Sequence, residues 1–248
     1  MSSLVPKEEY KKRLIKIIDS VANEDQNVSE FKTKLENAAN FGDVDSNPDI
    51  ISFEIEDINE KAFQRATLSS KITLLDFKHG KKLERVEWLD GELPVVLNKS
   101  PRRPCIDLIG SLDGIPIICE LKFSNNSNSN SPIYATIQLL TYYCFIQFNA
   151  EFLDKYNVFH KNLGQFKWSV IVKNGFPRLI VCANKSYWNA WEKKIPKNKL
   201  RNKVFDWGIQ LDTNINLFQS ENFDFEAQKG SKKNYTPSIP TNSIWEII

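Results

Sequence analysis

Apolar residues recur at helical spacing near the start of this chain. Tyr10, Leu14, Ile17, Ile18 and Val21 fall three or four positions apart, with Leu4 ahead of them and Lys and Glu between them. Such a stripe is what an amphipathic helix buries. Phe31, Leu35, Ala38 and Ala39 predict a second helix, and Asn47-Pro48 ends the pattern. Residues 54–70 predict a third, with Ile55, Ile58, Ala62 and Ala66 on one face. From about residue 72 the period shortens toward two. Residues 72–77, 83–88 and 93–97 are β-prone runs separated by Lys/Gly or Asp-Gly turns. Two more runs, 105–110 and 115–123, are joined by a tight turn. Residues 124–131 are a Ser/Asn loop that buries nothing. Residues 132–147 predict an apolar helix with Pro at its start. Residues 168–172 and 178–182 read as strands around a Gly-Phe-Pro turn. Ser186 is placed to cap a helix carrying Tyr187, Trp188 and Trp191. Residues 208–218 read as a late strand. Helices therefore flank a central group of strands, a mixed α/β or α+β plan with no internal repeat.

Length and composition divide this plan without changing it. The 248 residues fit one large domain with additions. We read 1–48 as a helical N-terminal extension, 49–225 as the core and 226–248 as a polar, loosely held tail. Hydrophobic residues make up 41% and charged residues 26%, enough for a core and against global disorder. Lys plus Arg is 33 and Asp plus Glu 31. That near-balance excludes binding of nucleic acid by bulk charge, but not by a local basic groove. No apolar run approaches the ~20 residues that span a bilayer, and the first residues lack a signal peptide's apolar stretch. Cys105, Cys119, Cys144 and Cys182 lie far apart with no CxxC spacing. They read as reduced core residues of a cytoplasmic protein rather than ligands of zinc or an iron–sulfur cluster.

Candidate chemistry lies on one predicted hairpin. Asp113-Gly114 suits a type I′ turn, which needs positive φ at both residues. Closed there without a bulge, the turn sets Leu112 opposite Ile115 and, counting outward, Asp107 opposite Glu120. Opposed residues share a sheet face with Cβ atoms roughly 4.5–5.5 Å apart, and Lys122 joins that face by period 2. Ile106, Leu108, Cys119, Leu121 and Phe123 then point into a core. Two facing carboxylates raise one pKa or require a cation. Mg²⁺ (or Mn²⁺) favours such oxygen ligands together with phosphate, and a lysine supplies charge where a phosphoryl transition state becomes negative. These are parts for phosphodiester hydrolysis by a metal-activated water. Taken alone, Glu-x-Lys marks an ordinary solvated strand face.

The helix that follows carries Gln138 and Tyr142 four residues apart on one face. An amide in an apolar run needs partners. Gln138 either reaches a phosphate or satisfies a neighbouring backbone group, and Tyr142 is placed to support a nucleic-acid strand.

In this order Asp107, a short hairpin, Glu120-Leu121-Lys122 and a helix with Gln138-x-x-x-Tyr142 resemble the PD-(D/E)XK nuclease superfamily, with the helix motif of its RecB-type branch. The resemblance covers roughly residues 90–147. It implies a restriction-endonuclease-like fold, a central mixed β-sheet flanked by helices. It implies a Mg²⁺-dependent deoxyribonuclease, with Asp107 and Glu120 as metal ligands, Lys122 as the catalytic lysine and Gln138 and Tyr142 as accessory site residues. An acidic residue from an upstream helix often joins the metal; Glu60, in the Asn59-Glu60-Lys61-Ala62-Phe63 stretch that precedes the strands, is the best-placed acid, and Glu56 and Glu92 compete with it. His79 and His160 are poorly placed for an upstream histidine. DNA is the implied partner, a homodimer is compatible, and no membrane partner is expected. Without Gly-x-x-x-x-Gly-Lys-[Ser/Thr], the chain has no ATP motor of its own.

Basic clusters are candidates for phosphate contacts. Arg102 and Arg103 precede the strand of Asp107 and are assigned to substrate. Lys193, Lys194, Lys197, Lys199, Arg201 and Lys203 form a run without an acid, and Lys78, Lys81 and Lys82 form another cluster. A basic run by itself reads as a solvated face, and the 193–203 stretch reads equally as that or as a DNA-binding stretch. Trp188 and Trp191, at helical spacing, read as core before base-stacking residues.

Overall fold

The computed structural model describes residues 5–37, 59–78, 80, 82–95, 105–124, 129–156, 166–174, 177–221, 239–240 and 242–248. Helices α1 (Lys7–Val21) and α2 (Ser29–Asn37) come first, then α3 (Glu60–Ser70). Four strands follow: β1 (Ile72–Asp76), β2 (Leu83–Pro94), β3 (Cys105–Leu112) and β4 (Ile115–Lys122). The rest of the chain supplies α4 (Pro132–Tyr156), α5 (Trp168–Asn174), β5 (Arg178–Asn184), α6 (Lys185–Glu192), α7 (Lys197–Leu211), β6 (Ile215–Ser220) and β7 (Ser243–Ile247).

The protein is a mixed α/β molecule, and its sheet is mixed as expected. Strands β1 to β4 form an antiparallel meander. β5 joins β4 in parallel after the α4–α5 crossover, and β6 joins β5 in parallel after α6 and α7. The sheet is not open, however. β7 pairs antiparallel with β6 and parallel with β1, closing a seven-stranded barrel. Closure has a physical driver in Trp245, fully buried on β7 beside Trp88 with ring centroids 5.3 Å apart. It also removes both unpaired sheet edges. The end of the segment read as a polar tail is thus a barrel strand.

Two cores result. The smaller takes side chains from all seven strands, among them Leu75, Val86, Leu108, Cys119, Cys182, Phe218 and Trp245, and is completed by Ala62, Phe63 and Ala66 of α3. The larger joins the opposite faces of β2 to β6 to the remaining helices; α1 and α2 enter it beside α4. Tyr10 of α1 meets Tyr143 of α4 edge to face, 5.6 Å between centroids. Ile106 departs from the expected face. It pairs with Leu93 near the end of β2, and both pack in the larger core.

Four local expectations change. Ser186 lies inside the first turn of α6, whose N-cap position is Asn184. Residues 168–172 are helical because Asp154 at the end of α4 accepts the Trp168 and Ser169 N–H groups at 2.5 and 3.3 Å, capping α5. Residues 208–211 continue α7, which ends where Asp212 turns left-handed at φ 50°. Asp90-Gly91 makes no turn: β2 runs through it with a register shift between Trp88 and Asp90. Among the described residues, no helix is long and apolar enough to cross a membrane.

Candidate metal centre

Asp107 and Glu120 come from the two arms of one hairpin. β3 and β4 pair from Leu112↔Ile115 out to Leu108↔Cys119. The turn is left-handed at both residues, φ 50° at Asp113 and 81° at Gly114. The next position outward holds Asp107 and Glu120. There Asp107 Oδ2 accepts the Leu121 N–H at 2.7 Å.

Lys122 anchors this pair. Its Nζ donates to Glu120 Oε1 at 2.7 Å, to the Leu121 carbonyl at 2.9 Å and to Glu60 Oε1 at 3.1 Å. Three bonds use all three ammonium protons and fix the group in place. Of the two upstream candidates among the described residues, Glu60 is the one that joins the cluster. It opens α3, whose Asn59 cap accepts the Ala62 N–H at 3.2 Å. One oxygen each of Glu60, Asp107 and Glu120 lies within 4.8 Å of the others. Glu92 instead pairs with the buried Arg65 at 2.8 Å. Glu56, Arg102, Arg103, His79 and His160 lie outside the described residues.

The electrostatics are those of a site short of positive charge. Glu120 is 1% exposed and Lys122 3%, whereas the Glu60 side chain is 41% exposed. The cluster is therefore buried at one end and open at the other. Burial pushes the Asp107 carboxyl up to about 7, against the opposing pull of Lys122. Burial, reinforced by Asp107, holds Glu120 well above the usual carboxylate range. Burial alone would lower the Lys122 ammonium; Glu120, Glu60 and Asp107 outweigh it and hold it well above its ordinary value. Three carboxylates against one ammonium leave two negative charges uncompensated when all are ionised. A divalent cation matches that excess, and an all-oxygen donor set suits a hard ion such as Mg²⁺ or Mn²⁺. Glu120 Oε2 is buried without a hydrogen-bond partner, an arrangement that is costly unless a cation or donor meets it. The residues present thus fit a divalent ion.

α4 closes one side. The Gln138 amide donates to the Tyr142 hydroxyl at 3.1 Å, so the two share a face as expected and support each other. Burial, and then the charge of Glu120, push the Tyr142 phenol well up. Sequence reasoning missed the support behind Asp107. Gln64 Nε2 donates to the Asp107 carbonyl at 2.5 Å, and a Cβ on Gly91 would lie 2.7 Å from that same oxygen. A signal existed: Gln64 stands four residues after Glu60 on one helix face. It is buried there, as are Arg65 and Thr67 on the same helix.

The basic run is partly spent on internal pairs. Lys197 meets Glu192 at 3.5 Å, Lys203 meets Glu24, and Lys194 lies 4.7 Å over the Trp191 ring. Lys199 and Arg201 are exposed. Trp188 is core, and its indole N–H donates to the Phe218 carbonyl at 2.9 Å. Lys78 and Lys82 flank the β1–β2 turn, where Lys82 pairs with Glu84 at 2.5 Å; Lys81 lies outside the described residues. No protein-family model, curated protein or solved structure matches this chain.

Proposed function

We propose that the chain is a metal-dependent nuclease that hydrolyses phosphodiester bonds of DNA, built on a restriction-endonuclease-like core to which the closing strand β7 has been added. One observation carries the reading: a buried acid with an unpartnered oxygen, Glu120, stands with Asp107, Glu60 and a fully engaged lysine. A structural ion pair needs one acid per lysine; this cluster has three. The PD-(D/E)XK resemblance is supported by the hairpin register and by an upstream acid arriving from a helix. The four free thiols fit the cytoplasmic setting that goes with it.

Glu60, Asp107 and Glu120 would hold the ion. When bound, it supplies Lewis-acid polarisation of a phosphoryl oxygen. Lys122, held by Glu120 and Glu60, sets a positive charge beside the carboxylates, where a pentacovalent phosphate accumulates negative charge. The Leu121 N–H orients Asp107, and Gln64 fixes the backbone behind it. The buried Tyr142 keeps its proton and, with Gln138, presents a neutral polar edge to the nucleic-acid strand. Glu60, the exposed member, lies on the side from which substrate enters.

The test is cleavage of linear, circular and single-stranded DNA with Mg²⁺ or Mn²⁺. Asp107→Ala and Lys122→Ala should each lower the rate by at least about 100-fold, while calorimetry shows Mn²⁺ binding weakened in Asp107→Ala. Cleavage retained in both variants sinks this site. DNA binding with no cleavage in any metal would instead indicate a non-catalytic nucleic-acid-binding protein.

A further inference from the structure

Arg65 of α3 is a buried charge that the carboxylate cluster does not use directly. It is 1% exposed, and an arginine keeps its charge even when buried. The acid that matches it is Glu92 of β2, whose oxygen lies 2.8 Å from Nη2 and whose side chain is 40% exposed. On its other side, Arg65 Nη1 donates to Gln64 Oε1 at 3.4 Å. The same Gln64 amide turns its nitrogen, Nε2, to the Asp107 carbonyl at 2.5 Å. Glu92, Arg65, Gln64 and Asp107 thus form one chain of polar contacts from the surface of β2 to a member of the carboxylate cluster.

The backbone is shaped to make this chain. Glu92 is left-handed, φ 51°, a conformation that costs energy in a residue with a side chain and persists where the surroundings impose it. The β2–β3 register runs Gly91↔Leu108 and Leu93↔Ile106, stepping over the Glu92 and Asp107 that lie between. Asp107 therefore stands where the ladder is interrupted, and a side chain from α3 meets its carbonyl there. The orientation of that side chain matters, because an amide presents a donor at one end and an acceptor at the other. Arg65 offers only donors, so it takes the Gln64 oxygen and leaves the nitrogen facing Asp107. The flipped amide would set donor against guanidinium and oxygen against carbonyl.

We propose that Arg65 is a positioning residue for the metal centre: held by Glu92, it fixes the orientation of the Gln64 amide and, through it, the place of Asp107. This rests on the reading of Glu60, Asp107 and Glu120 as a metal centre, and not on the substrate. Glu92, the acid that stays out of the cluster, acquires a part in holding it.

Mn²⁺ calorimetry on the full chain tests it, with a thermal melt of each variant in chelator as the check of folding. Arg65→Lys keeps the charge for Glu92 but loses the planar fork that serves two partners at once. Gln64→Met keeps the unbranched shape and loses the donor. Each should weaken Mn²⁺ binding about tenfold. The double variant should bind no more weakly than the weaker single one, because both changes break one chain; independent effects would multiply to about 100-fold. Glu92 gives a second arm should Arg65→Lys misfold. Glu92→Ala should weaken Mn²⁺ binding, and Glu92→Gln, which keeps an oxygen for the guanidinium, should recover it. Both remove the same negative charge, so equal losses would mean that charge rather than position is at work, and would overturn the proposal. So would Arg65→Lys binding as the wild type does, or single losses that multiply in the double variant. A wild type that takes up no Mn²⁺ removes the metal centre itself, and this proposal with it.

Discussion

Burial pushes the Asp107 carboxyl up to about 7, against an ordinary value of 3.8. Below about pH 4 the folded and unfolded chains both hold that proton. Between about 4 and 7 the folded chain keeps it while the unfolded chain releases it, so stability falls as pH rises; above 7 the full penalty is present. Asp107→Asn removes the charge and keeps an oxygen for the Leu121 N–H. In chelator-treated protein this variant should melt higher than the wild type at pH 8, and the gap should shrink toward pH 4. Mn²⁺ should reverse the ranking at pH 8, because only the carboxylate gains from the ion. Thermal melts at both pH values, with chelator or with Mn²⁺, check this. An equal gap at pH 4 and pH 8 would mean that the charge of Asp107 is not the source of strain.

Two Asp-Gly pairs with opposite uses separate the hairpin from its neighbour β2. At Asp113-Gly114 both residues are left-handed and Gly114 has open space around its missing Cβ. At Asp90-Gly91 neither φ is positive, and Gly91 instead lets β2 pass within reach of the Asp107 carbonyl. Gly91→Ala puts a methyl 2.7 Å from that oxygen and 2.9 Å from Leu68 Cδ1. It should destabilise the protein by about 1–3 kcal/mol and, by shifting Asp107 off Gln64, weaken Mn²⁺ binding. Gly114→Asn should change Mn²⁺ binding little, since Asn tolerates the left-handed region. Urea unfolding and metal calorimetry on both variants distinguish a metal-site effect from a general loss of stability. The Asp107–Glu120 register was legible because a two-residue turn leaves one pairing. The helical state of 168–172 was not, because its cap, Asp154, lies 14 residues upstream on another helix.

Closure of the whole sheet depends on its last strand. Trp245 sits in the smaller core against Trp88 and Phe63, with centroids at 5.3 and 6.0 Å. It belongs to the strand that seals β1 to β6. Trp245→Ala should lower the unfolding free energy by about 3–5 kcal/mol, read from denaturant titration with an unchanged m-value. A change near zero would mean that β7 docks without supporting the barrel. Asp107 and Glu120 lie on β3 and β4, away from that seam, whereas Glu60 opens α3, whose Phe63 packs on Trp245.

The order of residues alone determined the helices with strong apolar stripes, the strand-rich middle, the hairpin turn and, through it, the meeting of Asp107, Glu120 and Lys122. Each of these follows from local geometry: period, turn conformation and alternation across a strand. Tertiary structure decided which acid joins from upstream, because Glu60 stands 47 residues before Asp107 in sequence and only the packing of α3 against the sheet brings it to Lys122. It decided that Gln64 and Gly91 support Asp107 from behind. It also decided that the sheet closes, because the pairing of β7 with both β1 and β6 is a long-range contact that no local pattern encodes.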